Sequence, residues 1–178
     1  DGALALRLGF RQIKGMREED AIWIAAARGN GYPDVESLWR RAGVHADALE
    51  RLAEADAFAA IGLNRRDSLW AAKALKAPAP LPLFGSDGEG AAEPDVKLPQ
   101  MTLGQEVIED YLSLRLSLRA HPMELLRPRL TQSLAHDRLP QASGRITVTG
   151  LVITRQRPGT ASGVIFLTLE DETGTANV

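Results

Sequence analysis

The spacing of apolar and polar positions divides the chain into four segments. Residues 1–76 place apolar side chains three and four positions apart, which predicts several short amphipathic helices separated by turns. Residues 77–100 contain five of the ten prolines and an acidic Gly/Ser patch, a composition that cannot bury a core and predicts a flexible linker. Helical spacing returns over residues 101–143. Residues 144–178 alternate apolar and β-branched positions with polar ones, which predicts strands.

Local signals predict where these elements begin and end. The alternation of Leu4, Leu6 and Leu8 suggests a short entering strand, before a brief helix through Phe10 and Ile13 and a second helix from about Arg17 to Ala27. Further helices are expected to begin at capping residues or at a proline in the first turn, namely Asp34, Asn64, Thr102 with Gln105, and His121-Pro122. Strands are predicted over residues 145–156 and 164–170, and a third at the last residues, 175–178.

Composition excludes several classes of protein. No apolar run approaches the roughly 20 residues that a membrane span requires. Cysteine is absent, so neither a disulfide framework nor a thiolate metal site is possible, and the three histidines argue against zinc. We expect a cytoplasmic protein with no membrane contact. The chain begins without methionine and stops within a predicted strand, so we expect it to be a piece of a longer protein.

The net charge of −2 argues against a broad electrostatic clamp on nucleic acid. Any binding to DNA must therefore depend on local geometry and on a few cations.

The main candidate for such geometry is the sequence Ile13-Lys14-Gly15-Met16 between two short helices. An apolar–x–Gly–apolar turn is the core of a helix-hairpin-helix unit, because the glycine permits a backbone conformation that a Cβ would obstruct. The turn directs backbone N–H groups outward at the start of the next helix, where they can bind a phosphate, and Lys14 can add a charge-assisted contact. A plain helix–helix turn closed by glycine is the alternative.

A second turn, Ala42-Gly43-Val44, repeats the pattern, and Arg40 and Arg41 precede it on the side where a phosphate would lie. Tandem hairpins of this kind commonly straddle a minor groove. Arg40 and Arg41 could instead form a solvated helix face, so the pattern alone leaves DNA contact and a structural role open.

The strand segment resembles the start of an OB-fold, whose open sheet often binds single strands. Its one aromatic residue, Phe166, is expected in the core rather than as a stacking platform. Arg155 and Arg157 flank a loop that could meet a nucleic-acid backbone, or could be a solvated hairpin end. The predicted fold class is therefore α+β: a tandem helix-hairpin-helix domain, a linker, a short helical segment and a partial OB barrel.

No catalytic constellation is evident. Two carboxylate clusters, Glu18-Glu19-Asp20 and Glu170-Asp171-Glu172, are expected to be solvated, the first at a helix N-terminus and the second at a turn. In the linker, Leu81, Leu83 and Phe84 could dock in an apolar pocket of a partner, or could fold back on their own domain.

Four stretches, in order, resemble the bacterial error-prone DNA polymerase III α subunits, which are C-family polymerases. The four are residues 6–16, 49–58, 117–122 and 155–166. The last is similar to the OB hairpin of the error-prone branch, whereas the replicative branch usually carries a Lys-Arg-Gly type loop there. The resemblance covers nearly the whole chain.

The resemblance implies a C-terminal part of a DNA-directed DNA polymerase that acts in damage-induced mutagenesis and translesion synthesis. Its catalytic aspartates, with Mg²⁺, would lie upstream in a palm domain absent from these residues, so this part would be inactive alone and need no cofactor. The hairpins would bind duplex DNA, and the OB domain would contact the template strand. Two alternatives stay open: an interaction module of the mutasome without DNA contact, and the equivalent region of the replicative subunit.

The resemblance also implies two protein partners, an accessory Y-family-like mutasome protein and the sliding clamp. In the replicative relatives a clamp-binding pentapeptide begins with Gln at the place that Pro80 occupies here. We therefore expect direct clamp binding to be weak or indirect. Low-micromolar binding of the clamp by a peptide spanning residues 77–85 would contradict this expectation.

Overall fold

The computed structural model describes residues 7–75, 98–160 and 163–178. They belong to two compact units, which span residues 1–116 and 117–178. The first unit is helical, and the second carries a three-stranded antiparallel sheet, so the α+β class is confirmed. Within the described residues, no helix is both long enough and apolar enough to cross a bilayer.

Among its described residues, the first unit contains five α-helices. They are α1 (Glu18–Ala26), α2 (Val35–Ala42), α3 (Ala46–Glu54), α4 (Arg65–Ala74) and α5 (Leu103–Leu114), with single 3-10 turns at Phe10–Gln12 and Ala59–Ile61. The predicted brief helix before Lys14 is thus only a 3-10 turn. Residues 1–6 of the predicted entering strand lie outside the described residues, and residues 7–9 form no strand.

The predicted caps of α2, α4 and α5 are confirmed. Asp34 accepts a hydrogen bond from the amide of Ser37 at 2.6 Å, and Asn64 accepts one from the amide of Asp67 at 2.9 Å. Thr102 and Gln105 form the reciprocal capping box. Each pair satisfies amides that the first helical turn leaves without intrahelical partners.

Apolar side chains from α1, α2, α3 and α4 form one core, to which α5 adds a partly buried residue at its end. The most deeply buried members include Ile24, Leu49, Leu52, Ala53 and Ala72. The spacing of Leu49, Leu52 and Ala53 places all three on one face of α3, which is the periodicity that predicted this helix.

A buried ion-pair cluster fixes α5 to α4. Arg65, 3% exposed, lies 2.9 Å from a carboxylate oxygen of Glu106, donates to the Glu106 carbonyl at 3.0 Å, and pairs with Asp110. Val107 on the same helix is also buried. The prediction assigned residues 101–143 to one helical connector, whereas the structure divides that segment at residues 116 and 117 because α5 packs on the first unit.

The second unit begins with α6 (Pro122–Leu126) and short 3-10 helices at Arg127–Arg129 and His136–Gln141, and continues into β1 (Leu151–Gln156), β2 (Phe166–Asp171) and β3 (Gly174–Asn177). The strands lie in the order β1-β2-β3, with a register irregularity between Val152 and Thr154. The first strand is shorter than predicted: residue 148 makes only an isolated bridge to Leu134. Phe166, expected in the core, is 51% exposed at the start of β2, so that prediction was wrong.

A polar cluster around Asp171 links the helical part of the second unit to its sheet. The Asp171 carboxylate accepts hydrogen bonds from the amides of His136, Thr173 and Gly174, at 2.8–3.1 Å, and from Arg127 at 2.7 Å. Arg127 also pairs with Glu172 at 2.6 Å. The prediction that this carboxylate cluster is solvated was therefore wrong for Asp171, which is 3% exposed.

The same contacts determine the titration of Asp171. Burial by itself raises its pKa, but the hydrogen bonds from Thr173 and His136 outweigh burial and lower the pKa to about 2. A carboxyl whose pKa is depressed in the folded state adds stability above its unfolded pKa of 3.8, and that stability is lost as the pH falls through the folded value. The shift corresponds to about 2 kcal/mol.

We therefore expect the second unit to lose about 2 kcal/mol of unfolding free energy through this one group as the pH falls from about 4 to 2. A carboxyl carbon NMR titration of Asp171 checks this directly, with Asp137, half exposed in the same unit, as the internal comparison. A titration midpoint near 4 for Asp171 would contradict the expectation.

Candidate nucleic-acid interface

The first hairpin comprises Ile13–Met16, between the 3-10 turn and α1. Ile13 is buried and anchors it, while Lys14 and Gly15 are exposed at its tip. Gly15 adopts φ 73°, the left-handed conformation in which glycine avoids the steric cost of a Cβ. This conformation agrees with the role in the turn that the sequence predicts for Gly15.

Two hairpin amides are already used within the protein. Lys14 N–H donates to the carbonyl of Ser113 at 2.8 Å, and Met16 N–H donates to the carbonyl of Ile13 at 3.2 Å. The sequence predicts that some amides of this turn face outward to bind a phosphate. Those amides would therefore be the ones of Gly15 and of the first turn of α1. That first turn carries Glu18, Glu19 and Asp20, whose charges oppose a phosphate there.

Asp20 is not solvated as predicted: it is 7% exposed and pairs with Arg17 at 2.8 Å. The hydrogen bond to Asp20 raises the pKa of Arg17, which stays cationic at the start of α1. Arg17 thus neutralises one of the three acids, and Lys14 is an exposed cation at the hairpin tip.

The second hairpin comprises Ala42–Val44, between α2 and α3. Gly43 adopts φ 64° and its N–H donates to the carbonyl of Trp39, which ends α2 as an αL C-cap. Ala42 and Val44 are both buried, so the apolar–Gly–apolar pattern anchors the turn on two sides. The cap residue of α3, His45, makes no side-chain capping hydrogen bond.

The arginines predicted beside this hairpin are placed differently. Arg41 donates to the carbonyls of Ala27, Arg28 and Gly31 at 2.6–2.7 Å, and its guanidinium lies 4.8 Å from the ring centre of Tyr32. Arg41 therefore satisfies carbonyls at and just after the end of α1, and its contact with a phosphate stays a prediction. Arg40 is exposed and pairs with Glu36 at 2.6 Å.

A third glycine hairpin, Ile61–Leu63, was missed by the sequence prediction. Gly62 adopts φ 82° between α3 and α4, the two helices that pack together most extensively, and Asn64 then caps α4. Ile61-Gly62-Leu63 has the same apolar–Gly–apolar pattern as Ala42-Gly43-Val44, so the repeated pattern was the available signal. Arg66, in the first turn of α4, donates to the carbonyl of Pro99 at 2.6 Å.

The remaining predicted site residues lie in the second unit or outside the described residues. Arg155 in β1 and Arg157 just after it are both exposed. Leu81, Leu83 and Phe84 fall within the segment 76–97, which lies outside the described residues. Contact of any of these residues with DNA or a protein partner stays a prediction.

Comparison with known proteins identifies similar sequences over the whole chain. A family model described as the helix-hairpin-helix motif matches residues 1–68, which contain all three glycine hairpins. The chain is 68% identical over 181 aligned residues to the error-prone DNA polymerase of Ruegeria pomeroyi, with all of this chain and 16% of that protein covered. It is 49% identical to the error-prone DNA polymerase of Sinorhizobium medicae and 50% identical to error-prone DNA polymerase 1 of Rhizobium meliloti, in each case over 98% of this chain and 16% of the relative.

Proposed function

The chain belongs, over the segment it spans, to the error-prone DNA polymerase family, and on this premise we propose that it is a DNA-binding, non-catalytic part of such a polymerase. The chain spans 16% of the length of the curated relatives it matches. Polymerase activity, translesion synthesis and the Mg²⁺-binding aspartates would belong to the remainder of the parent protein.

The observation that carries the proposal is the set of three glycine turns, each flanked by apolar residues. Each places a glycine at positive φ, at Gly15, Gly43 and Gly62, three positions before the first residue of an α-helix. Helix N-termini that follow such turns present backbone amides and the positive end of the helix dipole, which suit a DNA phosphate. Because these contacts go to the phosphate backbone, we expect binding to duplex DNA without sequence specificity.

Lys14 provides the first test, because it is exposed at the tip of the first hairpin. We expect Lys14→Gln to weaken binding to a short duplex roughly three- to tenfold and to reduce the slope of log K against log salt by about 1. Fluorescence anisotropy at a series of salt concentrations measures both quantities.

Lys73→Gln is the matched control, since Lys73 is an exposed lysine in the last turn of α4, away from the hairpin turns. It should leave affinity and slope unchanged. Arg41 is not a suitable position, because a substitution there also removes three hydrogen bonds that cap α1. Equal effects of Lys14→Gln and Lys73→Gln would contradict a hairpin-specific contact.

For the second unit we propose an OB-type sheet that meets the template strand. Arg155 is exposed, and its strand neighbour Gln156 pairs in register with Phe166, which is half exposed. Single-strand binders stack bases on exposed aromatic rings, and Phe166 offers one, while Arg155 pairs with Leu167 and so lies on the opposite face of the sheet. In the same anisotropy experiment with a single-stranded oligonucleotide, Phe166→Ala should weaken binding.

The other candidate is a module that binds an accessory mutasome protein without contacting DNA. Ile22 and Trp23, adjacent on α1, are 59% and 57% exposed, and large exposed apolar side chains are common at protein interfaces. The net charge of −2 also supplies no general attraction to DNA. A duplex affinity without salt dependence, or no detectable affinity, would favour this candidate.

A further inference from the structure

The first hairpin is held by the end of a helix about 100 residues away in sequence. The side-chain amide of Gln12 donates to the carbonyl of Leu114 at 2.7 Å, and the backbone amide of Lys14 donates to the carbonyl of Ser113 at 2.8 Å. Both acceptors lie in the last turn of α5, whose carbonyls have no partners within the helix. The hairpin therefore caps α5, and α5 fixes the hairpin.

Arg51 of α3 holds the opposite side of the same turn. Its guanidinium donates to the carbonyl of Lys14 at 3.3 Å and covers Gly15 so closely that a Cβ there would lie 2.6 Å from Nη1. The N–H and the C=O of Lys14 are thus both bonded to other elements. The peptide groups on either side of Lys14 have a fixed orientation, and so does the direction in which its side chain leaves the turn.

The support is itself firmly attached. Arg65 binds Glu106 and Asp110, and Val107 is buried, so α5 is fixed to the helices that carry the other two hairpins. Ser113 is 7% exposed, which keeps water from competing for the bond to Lys14. A rigid element behind a binding loop reduces the ordering cost that the loop would otherwise incur on binding.

We propose that Gln12 and Arg51 are positioning residues, which pre-organise the first hairpin for a DNA phosphate by fixing it to α5 and α3. The inference rests on the proposed function, because it assigns these two residues a role in that same contact. Neither side chain needs to touch DNA. Removing one should lower affinity by loosening the turn, while Lys14 and the number of phosphate contacts are retained.

Gln12→Met tests this, since methionine matches the length of glutamine and cannot donate the hydrogen bond to Leu114. We expect duplex affinity to fall roughly threefold to tenfold. The salt slope should be unchanged, because no cation is removed. Hydrogen exchange at the Lys14 amide should be faster. All measurements are made on the 178-residue chain well below its melting temperature, and Gln132→Met, at an exposed glutamine of the second unit, is the matched control.

If Gln12→Met impairs folding, Arg51→Lys tests the positioning role instead. It keeps the positive charge but loses the planar group that covers Gly15, so affinity should fall at constant salt slope. Arg138→Lys, at an exposed arginine of the second unit, should leave affinity unchanged.

The outcomes separate this inference from the proposed function. If Lys14→Gln weakens binding and both Gln12→Met and Arg51→Lys leave it unchanged, the positioning role is overturned while the hairpin contact stands. If none of the three substitutions affects binding, the hairpin contact itself is refuted. If Gln12→Met weakens binding at constant slope and Lys14→Gln does not, positioning is supported and the contact is made by backbone amides.

Discussion

Replacing Asp171 by alanine is expected to unfold the second compact unit while the first stays folded. The carboxylate is buried and accepts hydrogen bonds from three backbone amides, the Thr173 hydroxyl and Arg127. Removing one partner of a buried ion pair costs about 3–5 kcal/mol. A unit that spans residues 117–178 has a total stability of roughly 3–9 kcal/mol, so the loss is comparable to the whole.

The positions of the aromatic residues allow the unfolding of the two units to be followed separately. All three tryptophans and both tyrosines lie in the first unit, so intrinsic fluorescence reports that unit alone. We expect Asp171→Ala to abolish the dispersed amide signals of β2 and β3 and to leave the fluorescence unfolding curve in place. Asp137→Ala, at an exposed carboxylate 3.6 Å from Arg138, should change neither. Retention of the strand signals in Asp171→Ala would contradict the expectation.

The second large effect is expected at Arg65. We predict that its ion pairs contribute about 3–5 kcal/mol to the unfolding free energy of the first unit. Its side chain is 4% exposed and pairs with both Glu106 and Asp110, so Arg65→Met would remove the buried cation that the two carboxylates share. The loss of both ion pairs weakens the attachment of α5 to α4. Urea unfolding followed by the fluorescence of Trp70 on α4 measures the change.

Arg66→Met is the matched control, because Arg66 is adjacent in α4 but contacts only the Pro99 carbonyl among the bonds described for it. It should cost less than about 1 kcal/mol. Adding Asp110→Leu and Glu106→Gln to Arg65→Met should recover much of the loss, since apolar replacement of a buried ion cluster is often neutral or favourable. A loss for Arg65→Met no larger than that of Arg66→Met would show that the cluster adds nothing to stability.

The sequence was sufficient for features that depend on neighbouring residues. Asp34, Asn64 and Thr102 cap helices through bonds that span three positions, and Gly15 and Gly43 are needed where the turn requires positive φ. Such signals are local, so they can be identified without knowing the fold. The family resemblance was also confirmed, because ordered stretches of sequence carry it directly.

Contacts between distant residues could not be anticipated. Arg51 bonds to Lys14 across 37 positions, and Arg65 and Arg127 meet their carboxylates across 41–45. Each pair depends on helix packing that no short window of sequence encodes, so Asp171 was expected to be solvated. The structural role of Arg41 was missed for a related reason: its partners are backbone carbonyls, which leave no trace in residue identities.

The bond between Gln12 and Leu114 also has a consequence for protein synthesis. The two residues are 102 positions apart, and a bacterial ribosome adds about 5–20 residues per second. The Lys14 turn therefore emerges about 5–20 s before the helix end that holds it. During that interval the nascent chain presents an unsupported turn. On the positioning inference, the turn reaches its full affinity for DNA only once α5 has been made.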